Sequence, residues 1–292
     1  MTNKEELPVE EGSKQAPEHF YIKITADGPY FVYGNPPIDQ EIIMPNAEGS
    51  SWVYQKGKHF ETSEAPVHLC RCGHSKHKPF CDGSHKHADW DPRETAPHSP
   101  LLEDADEIEG PTMVLGDNEK YCAFARFCDA RGRIWNLVER AETEEERELV
   151  RREAGHCPSG RLVVWDKETE EVFEPPFEPS IGIIEDPGIR VSGPIWVKGG
   201  IRIEGADGRS YEIRNRVTLC RCGQSSNKPF CDGTHVSMHF CDNIPLEKGK
   251  GGMVKENSKR ENRLQNSAAG SCWRLFIIIS TNHHSLNTPF HI

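Results

Sequence analysis

"LCRCGHSKHKPFCDGSH", Leu69 to His85, returns as "LCRCGQSSNKPFCDGTH", Leu219 to His235. Each copy carries Cys, Cys, Cys, His at the same internal spacing: Cys70, Cys72, Cys81 and His85, then Cys220, Cys222, Cys231 and His235. Two cysteines one residue apart leave an extended segment on the same side, so both thiolates can reach one metal centre. The third cysteine and the histidine bracket Asp-Gly-Ser or Asp-Gly-Thr, where Asp82 or Asp232 is suited to cap a helical turn. That turn would set the Cys and the His four apart on one face, opposite the first pair.

The repeat is larger than the motif. "DGPYFVYG" (Asp27 to Gly34) precedes the first copy and "SGPIWVKG" (Ser192 to Gly199) the second, while Trp90 and Phe240 each follow their motif histidine by five positions. The chain therefore holds two instances of one small β-rich unit. In the second, "IRIEG" and "YEIRNRVTL" alternate as short strands between Gly-rich turns. In the first the matching region is longer, and "NPPIDQEIIMPNAEGSSW", residues 35–52, reads as a loop insertion.

A hydrophobic fraction of 35% over 292 residues is low for one large core, so small domains held by something besides apolar burial are expected. The net charge of -11 argues against general nucleic-acid binding, although Arg71, Lys76, Lys78, Arg221 and Lys228 make the repeats locally basic. Eleven cysteines follow an acidic, polar beginning, "MTNKEELPVEEGSKQAPEH", that has no apolar export core. A reducing compartment is expected, cytoplasmic with mitochondrial as the alternative, which turns the cysteines from disulfides into metal ligands. The apolar run "LFIII", Leu275 to Ile279, is far short of the roughly 20 residues that span a bilayer, so no membrane span is expected.

Four ligands grouped as two plus two suit a [2Fe–2S] cluster, with two ligands on each iron, and also one tetrahedral zinc. Structural zinc sites usually separate their paired cysteines by two to four residues, so the Cys-x-Cys spacing tilts the choice towards iron and sulfide.

Both stretches resemble the CDGSH iron–sulfur family, with Ser75, Pro79, Asp82 and Gly83 at the motif positions of the first copy and Ser225, Pro229, Asp232 and Gly233 at those of the second. The resemblance implies one [2Fe–2S] cluster per motif, held by three cysteines and one histidine. A neutral imidazole in place of a thiolate lowers the cluster's negative charge and raises its potential; it also offers a ligand that acid can displace. Members with one motif pair as homodimers, which implies here a monomer with an internal pseudo-dimer of units.

Between the copies, "YCAFARFC" supplies Cys122 and Cys128, and "HCPSG" supplies Cys157. Cys122 and Cys128 occupy the outer places of a C-x2-C-x2-C run, with Ala125 where the middle cysteine would stand. Three thiolates suit a [3Fe–4S] cluster, or a [4Fe–4S] cluster whose fourth iron takes water, His156 or another ligand. The stretch from Tyr121 to Val164 resembles the divergent single-cluster ferredoxin-like domain; three buried free thiols are the plainer alternative. A helix is expected from Glu142 to Ala154, with Glu148 paired to Arg152. Cys241 and Cys272 fall in no ligand spacing.

The expected architecture is α+β: a disordered stretch (1–18), a first CDGSH unit (19–98), a ferredoxin-like insert (99–180), a second CDGSH unit (181–247) and a disordered tail (248–292). No nucleophile elbow, phosphate loop or dinucleotide-binding glycine signature is present, so no catalytic residues are assigned and a carrier rather than an enzyme is expected, with a place as a redox-enzyme subunit still open. The expected function is electron transfer or redox sensing with a redox partner protein. The alternatives are cluster donation to an apo-protein and a structural zinc-binding interaction module.

Overall fold

The computed structural model describes residues 15–63 and 66–246. The first unit runs β1 (Tyr21–Ile24), β2 (Tyr30–Tyr33), β3 (Ile38–Pro45), β4 (Ser51–His59) and β5 (Val67–Leu69). The insert follows with β6 (Asp106–Glu109), β7 (Met113–Asp117), α1 (Ile134–Val138), α2 (Glu144–Gly155), β8 (Leu162–Asp166) and β9 (Val172–Phe173). The second unit supplies β10 (Ser180–Asp186), β11 (Val191–Lys198), β12 (Arg202–Glu204), β13 (Arg216–Leu219) and α3 (Thr234–Ser237). The class is α+β, with the two units flanking the insert.

The strands form three sheets, in the orders β12-β1-β2-β5, β13-β11-β10-β3-β4 and β6-β7-β8-β9. The first two are mixed between units. β12 lies parallel to β1, with Arg202 opposite Tyr21, and β3 lies parallel to β10, with Ile38 opposite Ile181. The second unit thus lends β12 to the first unit's sheet and the first lends β3 and β4 to the second's, and a single core holds Ile22, Ile24 and Leu69 together with Ile183, Ile195 and Leu219. The insert joins that core through Tyr121, Val163 and Trp165, and closes a second one of its own around Leu115, Ile134, Val150 and Leu162.

Residues 35–52 are not a loop insertion: β3 and the start of β4 run through them. The period-2 pattern that marks a strand is hidden because β3 is buried on both faces, with Gln40 and Glu41 inside beside Ile42 and Ile43. The polar pair is satisfied from the second unit, Gln40 Nε2 donating to the Pro245 carbonyl and Lys198 Nζ meeting Glu41 at 2.7 Å. The second unit has only a bridge from Glu204 to Ser210 after β12, where the first has the full β4 after β3.

In the insert, α2 begins two residues later than expected. Thr143 caps it, accepting from Glu146 N while the Glu146 carboxylate accepts from Thr143 N. Glu148 pairs with Arg151 at 2.7 Å rather than with Arg152, whose guanidinium turns away to donate to the Trp52 carbonyl on β4. The expected disorder at 1–18 and from residue 248 falls largely outside the described residues, as does Cys272; within them, Ala16 is buried and its N–H donates to the Gly200 carbonyl. Among the described residues no helix is long and apolar enough to cross a membrane.

Candidate metal centres

The two motif loops are built alike. Cys70 N donates to the Pro79 carbonyl and Cys220 N to that of Pro229, both at 2.8 Å, which folds each motif back on itself. The lysines before the cis prolines, Lys78 and Lys228, donate to the Ser75 and Ser225 carbonyls of their own loops. Ser75 Oγ and Ser225 Oγ donate to the Phe80 and Phe230 carbonyls. Asp82 and Asp232 accept the backbone N–H groups of residues on both sides, Lys76 and Ser84 in one motif and Ser226 and Thr234 in the other. The glycines Gly83 and Gly233, left-handed at φ +85 and +86, stand at the helix starts themselves, so the aspartates brace the turns from one position further out.

This scaffold brings the eight predicted ligands into pairs. Sγ of Cys70 lies 3.7 Å from that of Cys72, and Cys81 Sγ lies 3.3 Å from His85 Nδ1. The second motif repeats this at 3.7 Å for Cys220 with Cys222 and 3.4 Å for Cys231 with His235. Backbone N–H groups of His74, Gly83 and Gly233 point at the sulfurs of Cys72, Cys81 and Cys231, as suits thiolates. Contact with Cys72 lowers the Cys70 thiol and the same contact raises Cys72; Cys220 and Cys222 behave alike. A metal cation that binds either pair would displace its protons.

The donor chemistry fits a two-metal group with one pair on each metal. Among the described residues no three His, Cys, Asp or Glu side chains converge closely enough to hold a single ion. Burial, followed by the charge of Arg221, holds His235 down at about 4, so its imidazole is neutral at physiological pH. The surplus histidines of the first motif, His74, His77 and His87, are exposed.

The motifs meet each other directly. Gly73 and Gly223 are left-handed, and a Cβ on either would overlap the carbonyl of Cys222 or Cys72 in the other motif. Tyr30 of the first unit donates its hydroxyl to the Cys220 carbonyl at 2.8 Å.

Their surroundings differ. His85, Cys81 and Phe80 are part-exposed, and nothing lies within 4 Å of the Cβ direction at Gly83. His235, Cys231 and Phe230 are buried, and the Cys122 carbonyl sits 3.1 Å from the Cβ direction at Gly233, with Phe124 just behind it. The insert is fastened there by Asn227 Nδ2 donating to the Lys120 carbonyl, by the Tyr121 and Phe230 rings at 5.2 Å, and by Arg126 on Asp186 at 2.5 Å.

The insert's three cysteines come from a loop and a helix end. Cys122 follows a 3-10 turn, Cys128 lies in the next one, and Cys157 lies just past α2, its N–H donating to the Ala154 carbonyl. Burial raises the thiols of Cys122 and Cys128, and the charge of Cys157 raises both further. Arg161, paired with Asp117 at 3.0 Å, supplies the opposing positive charge to all three thiols. The three thiols thus share one electrostatic neighbourhood around Arg161. Phe124 and Arg126 hold left-handed backbone at φ 53 and 63, which aims the loop at both its own thiols and the second motif. Ala125, in the place of the run's middle cysteine, packs in an apolar cluster with Ile43, Ile184 and Trp196. His156 Nδ1 is engaged by the Arg152 carbonyl at 2.8 Å.

Sequence reasoning missed Arg71 and Arg221, which it read only as local basicity. Both are buried beneath their motifs: Arg71 donates to the carbonyls of Thr25, Ala26, Gly28 and Pro92, and Arg221 to those of Gly193 and Ile184 and to two carboxylates, Glu185 and Asp242. The shared "CRC" was the available signal.

Residues 27–86 and 192–236 match the family described as iron-binding zinc finger CDGSH type, and residues 108–167 match the divergent 4Fe-4S mono-cluster domain. The chain is therefore a tandem CDGSH protein with a divergent single-cluster ferredoxin-like domain between its motifs, an iron–sulfur binding protein. Searches of curated proteins and of solved structures found no match.

Proposed function

We propose that this protein is a multi-cluster electron carrier or redox sensor, with a [2Fe–2S] cluster in each CDGSH motif and a [3Fe–4S] or [4Fe–4S] cluster on Cys122, Cys128 and Cys157. The observation that carries the reading is the contact sequence: the first motif abuts the second through Gly73 and Gly223, and the second abuts the insert through Gly233 and Cys122. Bound clusters would supply one-electron redox capacity. The chain's own residues hold the ligand pairs, bury the second site, and leave the first near the surface for a redox partner. One cysteine pair and one cysteine–histidine pair per motif favour iron and sulfide over one structural zinc. On this reading the protein is a carrier, alone or as the small subunit of a redox enzyme.

The part-exposed Cys81 and His85 favour a second reading, donation of the first cluster to an apo-protein. Metal and sulfide analysis of the reconstituted chain, with EPR in both redox states, tests the main reading: iron and sulfide for both motifs and a [3Fe–4S]-type signal in the oxidised protein support it. Stoichiometric zinc without sulfide refutes it. Incubation with an apo-ferredoxin tests the second, which fails if iron stays on the chain.

A further inference from the structure

The two motifs align at a constant offset, which places Pro92 of the first unit where Asp242 stands in the second. Both positions receive the same guanidinium nitrogen. Arg71 Nη1 donates to the Pro92 carbonyl at 3.0 Å, whereas Arg221 Nη1 donates to the Asp242 carboxylate. Among the described residues Arg71 makes no ion pair, and its remaining donors all end on neutral carbonyls. Arg221 is bracketed by acids instead: Glu185 Oε1 lies 2.7 Å from Nη2, and both carboxylate side chains are fully buried. Asp242 is held in place by the Ser192 hydroxyl, which accepts from its N–H, and by Ile244 N, which donates to its carboxylate.

One guanidinium faces two fully buried carboxyls and can balance the charge of one. Glu185 Oε2 is buried with no donor facing it, and burial, offset only in part by Arg221, pushes this carboxyl up. Although burial opposes it, Arg221 and the Glu185 side chain hold Asp242 down. The second site therefore has a neutralised guanidinium, Arg221 with Asp242, while Arg71 at the first faces neutral carbonyls and the Trp90 and Tyr30 rings and keeps its charge. A fixed positive charge beside a cluster favours the more negative, reduced form and raises its potential; a neutralised one does not. Arg221 stands in the chain between the ligands Cys220 and Cys222, as Arg71 does between Cys70 and Cys72, so each guanidinium belongs to the segment that carries the paired thiols.

We propose that Asp242 is a positioning residue for redox tuning: by neutralising Arg221 it sets the second CDGSH site at a lower potential than the first, so two motifs with identical ligands work as an ordered pair. The inference rests on the [2Fe–2S] reading above. It adds a direction, with the electron resting on the first, part-exposed motif.

Spectroelectrochemical titration of the reconstituted full chain tests it, after iron and sulfide content has shown whether both motifs are filled. Two one-electron steps are expected from the motifs, separate from that of the insert's cluster, and are assigned to sites by the altered EPR signal of a His85→Cys variant. Asp242→Asn, made in a Glu185→Gln background so that the neighbouring carboxyl cannot take over Arg221, should raise the lower step towards the upper and leave the upper unmoved, while Glu185→Gln alone should move neither at neutral pH. Pro92→Asp, at a part-exposed position, provides the reciprocal: the upper step should fall. The proposal is overturned if the wild-type motifs titrate together, or if neither Asp242→Asn nor Pro92→Asp shifts a step while iron and sulfide match the wild type. Absent iron and sulfide would instead sink the [2Fe–2S] reading itself.

Discussion

His85 stands on a part-exposed 3-10 turn with open space beyond Gly83, whereas His235 is 4% exposed beneath the Cys122–Phe124 loop of the insert. The sequences of the two motifs are nearly the same, and the bonds that fold each loop, from Cys70, Ser75, Lys78 and Asp82 in one and Cys220, Ser225, Lys228 and Asp232 in the other, repeat. What separates them is supplied from outside: the insert roofs one and not the other, and carboxylates surround one buried arginine and not the other. A duplicated ligand set can thus be given two roles without touching a ligand, because solvent access and local charge tune a metal site as strongly as its first contacts do.

The largest effect is expected where the motifs touch. Gly223→Ala puts a Cβ into the Cys72 carbonyl at a left-handed position, and both carbonyl and glycine belong to backbone that cannot swing aside. A loss of ~3 kcal/mol in denaturant unfolding is expected, with iron lost from both motifs, since overpacking and backbone strain each cost ~1–3 kcal/mol. Equal iron content in variant and wild type would show that the motifs do not depend on each other.

Arg126→Ala strips the partner from the buried Asp186 and loosens the insert from the second unit. Removing one member of a buried pair costs up to ~3–5 kcal/mol, and the part-exposed guanidinium places this case near the lower end. Chelator should then take iron from the second motif at nearly the rate of the first; an unchanged second-motif rate breaks the claim that the insert protects it.

In the wild type a chelator such as bathophenanthroline should remove iron in two phases, the faster from the first motif, because local opening there exposes ligands already near solvent. A single phase, or a faster second motif, contradicts the contrast in burial. The smallest effect belongs to Phe124→Ala. That side chain is 45% exposed, so stability should change by less than ~1 kcal/mol while second-motif iron loss quickens a few-fold.

The ligands were legible in the sequence because their geometry is local: Cys-x-Cys on an extended segment and Cys-x3-His on one turn need nothing from the rest of the chain. Cys81 and His85 meet at 3.3 Å on the strength of four residues. The exchange of β3 and β12 was not legible, since Ile38 finds Ile181 only through a pairing that no short window contains, and the burial of Gln40 and Glu41 erased the strand pattern itself. Nor could Arg221 be told from Arg71, because Glu185 and Asp242 approach it from 36 and 21 positions away. Comparing the copies position by position beyond the histidines would have exposed Pro92 against Asp242. The seating of Cys122 on Gly233 had no sequence signal at all.

The account turns on two unlike [2Fe–2S] sites in one chain, and EPR of the partially reduced, reconstituted protein, with iron and acid-labile sulfide counted on the same sample, tests this most directly. It predicts two irons and two sulfides for each CDGSH motif and two distinguishable histidine-ligated signals that appear in succession. Zinc without sulfide, or one signal that grows to completion in a single step, would contradict it.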